Sequence, residues 1–298
     1  MSVTTSIPQA GSRLADLAPG IIAALSFSVA DILLKVVYDA GMDVLSLVSL
    51  RGVLVVLFFV VWLRAAPPRR RHTKRERLIA LALGLLFAAT MFGLLQSIAL
   101  LPVSIAILAY FIYPLLTGVA GAITGVDRLG MSGLLTALAA FVGLGLMLGH
   151  QFHSLAPLGI ACAFGAAGAR VVSLLLTRVY LSGTDARLTT WYSMVPSTAL
   201  FIALLAIAGT FTMPQTEAGW AAFAGVSITS TLSTLLIYIS TNRIGPFRTA
   251  LIMNLEPLVT TVLSVWLLGE VLTWVQWMGA AIMLVALCAF QVRKAPSP

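Results

Sequence analysis

The chain runs as long apolar stretches separated by short polar breaks, and the stretches are too long and too close together for a soluble core. A membrane-crossing helix needs about 20 mostly apolar residues. Ten such stretches follow one another, near 18–37, 45–63, 78–100, 103–124, 129–149, 156–177, 188–209, 219–240, 247–269 and 273–292. The connections leave no room for a soluble domain. The pattern predicts an all-α membrane protein of ten transmembrane helices, with tails over 1–17 and 293–298. Composition agrees: 60% of the 298 residues are hydrophobic and 9% charged, against roughly a quarter charged in soluble domains.

The net charge of +8 would suggest nucleic acid in a soluble protein, but its placement says otherwise. With the N-terminus inside, Arg13, the run Arg64, Arg69, Arg70, Arg71, Lys74, Arg75 and Arg77, then Arg128, Arg178, Arg187, Arg243, Arg248, Arg293 and Lys294 all fall on the cytoplasmic side. External loops hold no lysine or arginine, the positive-inside pattern. We expect a multi-pass protein of the cell inner (plasma) membrane with both termini cytoplasmic and no nucleic-acid partner. The basic run after the second helix would touch anionic lipid. No charged n-region followed by an apolar core and cleavage site opens the chain, so no removable signal peptide is expected. Cys162 and Cys288 lie inside apolar runs and read as packed side chains. His150 and His153 fall in an external loop and read as solvated.

The chain also repeats itself. Residues 87–142 laid over 230–285, a shift of 143, put Tyr113-Pro114 on Glu256-Pro257, Asp127 on Glu270, and Thr90 and Ser97 on Ser233 and Ser240. Upstream the shift is 139, and Gly20 meets Gly159 while Asp31 meets Arg170. The copies cover 18–149 and 156–292. Five helices is an odd number, so the second copy enters the membrane upside down. Two inverted five-helix repeats of this kind are the architecture of carriers whose substrate site lies between the halves.

The segment NRIGPFRTALIMNLEPLVTTVLSVWLLGEVLTWVQWMGAAIML, with its Glu-Pro and its later Gly-Glu, resembles the EamA-type branch of the drug/metabolite transporter superfamily. LLPVSIAILAYFIYPLLTGVAGAITGVDRLG is a weaker copy, and SLRGVLVVLFF resembles the family's arginine-bearing second helix. The resemblance spans 18–292. It implies a central site between helices 1–4 and 6–9, with helices 5 and 10 peripheral. The first half departs from the pattern: Asp127 stands for the usual glutamate and Tyr113 for the acid of the Glu-Pro pair. A mechanism that needs that acid keeps only one copy here.

Five charges fall within the predicted spans: Asp31, Lys35, Arg51, Arg170 and Glu256. Each would cost about 2.5–3.5 kcal/mol unpaired at the membrane centre, so each must pair or face a watered cavity. Helical spacing gathers polar groups into stripes. The first helix aligns Ser28, Asp31, Lys35 and Tyr38; the fourth Tyr110, Tyr113 and Thr117. The eighth aligns Ser227, Thr231, Thr234, Tyr238 and Thr241, and the ninth Thr249, Met253, Glu256 and Thr260, with Asn254 about a quarter-turn away. The candidate substrate-binding residues are therefore Asp31, Lys35, Arg51, Tyr110, Tyr113, Arg170, Tyr238, Asn254 and Glu256. Blander readings stand beside this one. Membrane serines and threonines bond their own i−4 carbonyls; Lys35 can snorkel to headgroups; Arg51 and Arg170 can hold helices together through Asp31 or Glu256; Glu256-Pro257 can chiefly mark a kink.

Three basic and two acidic groups within the spans favour a solute that carries negative charge. We expect an alternating-access transporter, an exporter of small metabolites such as amino acids or related carboxylate-bearing solutes. A sugar-phosphate or nucleotide-sugar antiporter is the alternative, and would be expected to carry more cavity lysines and arginines. An intramembrane enzyme or a structural scaffold is more remote: no HExxH occurs and no histidine lies well within a span. No catalytic residue, metal site or cofactor is expected. The substrate and the lipid bilayer are the expected partners, and the sequence leaves proton coupling and oligomeric state open.

Overall fold

The structure, a computed structural model, describes residues 10–101, 103–127, 130–148, 156–268 and 271–292. Among these the helices are α1 (Ala10–Asp39), α2 (Val44–Ala65), α3 (Lys74–Leu100), α4 (Val103–Tyr110), α5 (Tyr113–Ile123), α6 (Met131–Leu148), α7 (Pro157–Tyr180), α8 (Ala186–Ala208), α9 (Glu217–Ile244), α10 (Pro246–Ile252), α11 (Leu255–Leu268) and α12 (Trp274–Val292). Eight stretches are long and apolar enough to cross a membrane, counting 105–123 and 246–267 as one each. α6 and α12 supply shorter apolar runs, Met131–Met147 and Trp274–Ala289. The described residues form helices and no strand, and the chain is a multi-pass membrane protein.

Two of the stretches expected as continuous helices are broken, for a local reason. Pro114 and Pro257 have no N–H to return to the carbonyl four residues back. Between α4 and α5 the ladder passes through Phe111, whose N–H donates to Ile107 O at 2.8 Å. Between α10 and α11 it tightens: Asn254 N–H reaches Leu251 O at 3.1 Å and Glu256 N–H reaches Met253 O at 3.0 Å. Asn254 Nδ2 donates to the same Leu251 carbonyl at 3.1 Å. Elsewhere, caps move the expected ends. α3 starts at Lys74, ahead of the expected residue 78, because Thr73 and Glu76 form a reciprocal capping box that satisfies two orphan donors and lets the charged first turn stay helical.

The bundle is built inside out relative to a soluble protein. Leu57, Phe58, Val61 and Trp266 are largely exposed on its outside, while Ser28, Ser193, Ser233, Ser240 and Thr249 have no exposure at all. Lipid is the solvent that such a surface requires. Packing is pairwise: α1 lies against α9, α3 against α7, α2 against α8, α6 against α12 and α5 against α10. Small residues set the closest approach. A Cβ on Gly143 of α6 would stand 2.7 Å from the Gly279 carbonyl and 2.8 Å from Met283 N of α12, so these helices touch backbone to backbone.

Polar threads tie distant elements at both ends. Where α1 turns into α2, Asp43 caps α2 through Ser46 N–H at 2.9 Å and accepts from Thr212 Oγ1 at 2.5 Å. Hydrogen bonds from Ser46 and Thr212 outweigh the effect of burial and hold the Asp43 carboxyl below its ordinary value. At the opposite end, buried His72 meets Thr189 Oγ1 through Nε2 at 3.0 Å and packs edge-on to Tyr192 at 5.7 Å. Arg187 donates to Ala66 O at 3.1 Å, and the Phe247 N–H donates to Asp127 at 3.3 Å. Glu270, His150 and His153, on which the sequence reading also drew, lie outside the described residues.

Candidate functional site

The breaks bring the site together. Tyr110 closes α4 and Tyr113 opens α5, so the break turns both rings to one side, 5.3 Å apart between centroids. Arg170, near the middle of α7, points at them, its Cζ 5.9 Å from the centre of the Tyr113 ring. Tyr110, Tyr113, Glu256 and Tyr238 are the groups within its electrostatic reach. Tyr238 comes from α9, where Ser193 hydrogen-bonds its hydroxyl. Glu256 comes from the second break, and Ser28 Oγ of α1 donates to its backbone carbonyl at 3.0 Å. One guanidinium, three phenols and one carboxyl thus converge from α4, α5, α7, α9 and α11.

The Arg170 Nε–H is buried and has no hydrogen-bond partner in the protein. Leaving such a donor unmade costs about 1–3 kcal/mol, and it lies beside a small cavity lined by Arg170, Phe87, Thr90, Thr177, Thr234 and Tyr238. The cavity leaves ≈ 10 Å³ for the centres of water molecules, about what one water needs. In this conformation the cluster is closed around its own side chains.

The remaining candidates are placed around this cluster. Asp31 lies within electrostatic reach of Glu256, carboxyl against carboxyl, and accepts a hydrogen bond from Thr260 Oγ1 at 3.0 Å. Arg51 stands apart: its Nη1 donates to Ser230 Oγ at 3.0 Å, with Tyr38 the group in electrostatic reach. Lys35 and Tyr38, farther along α1, are exposed. Asn254 is buried and donates to the Leu251 carbonyl at the α10–α11 break, a helix-ending role. The α9 stripe largely serves its own backbone: Ser227, Thr231 and Thr234 donate to the carbonyls of Phe223, Ser227 and Ser230.

Sequence reasoning missed Ser173 and Thr177, which line the cavity with Arg170. Their positions three and seven residues after Arg170 put all three on one face of α7, and that spacing was the available signal. It also missed Phe87, and took Thr90 only as a repeat match. Among the described residues no three His, Cys, Asp or Glu side chains converge as a metal site. What the cluster can do is recognise a carboxylate: a guanidinium accepts one in a planar, charge-assisted pair, and tyrosines add hydroxyl donors on apolar faces.

Comparison with known proteins bears on the class. Residues 157–290 match the model of the EamA-like transporter family, in agreement with the resemblance drawn from the sequence. No curated protein matches the chain. A solved crystal structure superposes on 92% of this chain and 96% of its own with a TM-score of 0.77 at 16% identity, a likeness of fold alone.

Proposed function

We propose, from the match of residues 157–290 to the EamA-like transporter family model, that the chain moves small carboxylate-bearing solutes, amino acids first among them, across the inner membrane by alternating access. One observation carries the substrate class: a buried arginine with a free Nε–H faces three tyrosines and a cavity. Of the three basic side chains within the predicted spans, Arg170 alone lines that cavity. A single cation suits one carboxylate better than a phosphorylated sugar, which carries more charge.

The helix pairing supports reading the chain as ten spans in two inverted copies. If α1 corresponds to α7 and α3 to α9, the α1–α9 contact between the halves has its counterpart in the α7–α3 contact. Thr90 and Ser233, matched by the repeat, behave alike: Thr90 reaches the Ala166 carbonyl of α7 and Ser233 the Ala23 carbonyl of α1. Export is the direction we assign, with Glu256 and Asp31 as the groups through which a proton would be coupled.

The test is uptake of a labelled amino-acid mixture into proteoliposomes, with and without a pH gradient. Saturable uptake above empty liposomes that falls in Arg170→Gln and Glu256→Gln is the expected result. No uptake of any amino acid overturns the substrate class and turns the search to phosphorylated sugars. Transport by Glu256→Gln with its pH dependence intact removes that acid from coupling.

A further inference from the structure

Farther round α9 from the first cavity lies a second, larger cavity of ≈ 430 Å³. Leu235, Ile239 and Asn242 of α9, Trp62 of α2, and Thr184 and Arg187 from the start of α8 border it, with Arg243 at its edge. It takes no part in the site above, whose cavity is lined by Thr234, Ile237 and Tyr238 of the same helix.

Its charges and its apolar approach point to one kind of occupant. Arg187 is committed: Asp185 pairs with it at 2.7 Å, and its guanidinium lies over Trp62 at 5.2 Å. Arg243 is exposed and makes one long hydrogen bond, 3.4 Å to the Ala15 carbonyl. The arginine pair and the single carboxylate leave a net positive charge at the rim. Asn242 Oδ1 is buried without a hydrogen-bond partner, an acceptor waiting for a donor. Two apolar rows lead up to this rim. On α2, Leu54 and Phe58 are exposed and precede Trp62 at four-residue steps. On α9, Ile228 and Leu232 are exposed and continue into Leu235 and Ile239 at helical spacing. The eleven helical steps from 228 to 239 rise about 16 Å, about half of a 30 Å hydrocarbon core.

We infer that the cleft between α2 and α9 binds an anionic phospholipid, its phosphate at Arg243, its headgroup hydroxyls toward Asn242 and an acyl chain along the two apolar rows. The row is one leaflet long and its polar end carries the positive charge that an anionic headgroup complements. A soluble phosphate ester would use the charge and leave the apolar rows without a role. The wedge sits where α2 meets α8 and α9, between the chain's first and second halves, so the lipid would brace that seam.

The experiment is native mass spectrometry of the detergent-purified full chain, titrated with phosphatidylglycerol and with phosphatidylcholine of the same acyl chains. Phosphatidylglycerol is expected to bind more tightly, and Arg243→Gln to weaken that preference about fivefold, what one arginine contributes near a membrane surface. Replacing Arg69, Arg70 and Arg71 together by glutamine is expected to leave the preference in place. Phosphatidylglycerol brominated in mid-chain is expected to quench the part of the fluorescence that Trp62→Phe removes. The inference is overturned if the two lipids bind alike, or if Arg243→Gln, with its melting temperature unchanged, keeps the full preference. Displacement of the lipid by inorganic phosphate alone also overturns it, in favour of a soluble phosphate.

Discussion

Replacing Arg170 by glutamine separates a binding arginine from a structural one, because the two roles predict opposite outcomes in two measurements. In the structure its Nε–H has no partner and its guanidinium leans on the Tyr113 ring. Removal forfeits a cation–π contact of about 0.5–2 kcal/mol. It also abolishes an unmade buried hydrogen bond of about 1–3 kcal/mol and a charge at membrane depth of about 2.5–3.5 kcal/mol. The losses do not exceed the gains, so the melting temperature should hold or rise. Binding should fall: hydrogen bonds to a charged group contribute about 1.5–3 kcal/mol, so Kd for a carboxylate solute should rise about 10- to 150-fold. Scintillation proximity binding and differential scanning fluorimetry on the same preparation read both quantities. If Arg170 served only to neutralise Glu256, its loss would strand a buried carboxyl at about 3–5 kcal/mol and lower the melting temperature by roughly 10 °C. That drop, with Kd unmoved, would refute the reasoning.

Three further outcomes follow from the packing and the end contacts. Gly143→Val should destabilise by about 1–3 kcal/mol, read by thermal melting, since its Cβ would stand 2.7 Å from the Gly279 carbonyl; an unchanged melt would contradict the close crossing. Asp43→Ala should cost about 1–2 kcal/mol through the lost cap and the lost Thr212 bond. For His72, burial pushes the imidazole below its ordinary value of 6.5, Arg70 adds to this, and Glu76 and Asp185 oppose it. The unfolded chain therefore takes up a proton first as pH falls below 6.5, and stability is lost from there down to the folded value. Melting curves between pH 8 and 5 should slope accordingly, and His72→Gln should flatten that part of the slope.

How much of this was legible beforehand depended on range. Hydropathy located the eight stretches long and apolar enough to cross a membrane within a few residues, because the bilayer imposes length and apolarity on each helix independently of its neighbours. Proline after Glu256 marked where a kink could fall, though not that the helix would break outright, nor that Pro114 would do the same after Tyr113. Tyr110, Tyr113, Tyr238 and Glu256 were legible as members of polar stripes on separate helices, since an i, i+3, i+4 rhythm is local, while Arg170 was legible only as a charge within a span. Which stripe reached which was beyond the rhythm. Asn254 looked like a ligand because its neighbourhood is polar, and is occupied by a carbonyl that the break itself exposes. Arg51 and Arg170 were equivalent by hydropathy; only the fold sets Arg51 against Ser230 and gives Arg170 the cavity. The His72–Thr189 contact joins residues 117 apart in sequence, and no periodicity reports on a pair like that.

The crossing of α6 and α12 has a mechanical consequence. Where side chains interlock, one helix turns on another only by unpacking them. Here Gly143 and Gly279 bring two bare backbones together, a bearing with no teeth. If the two halves rock, they can swivel about this point while it stays in contact, with the paired tyrosines packed close to the pivot and the widest travel left to more distant helices such as α2 and α8, which pack on each other.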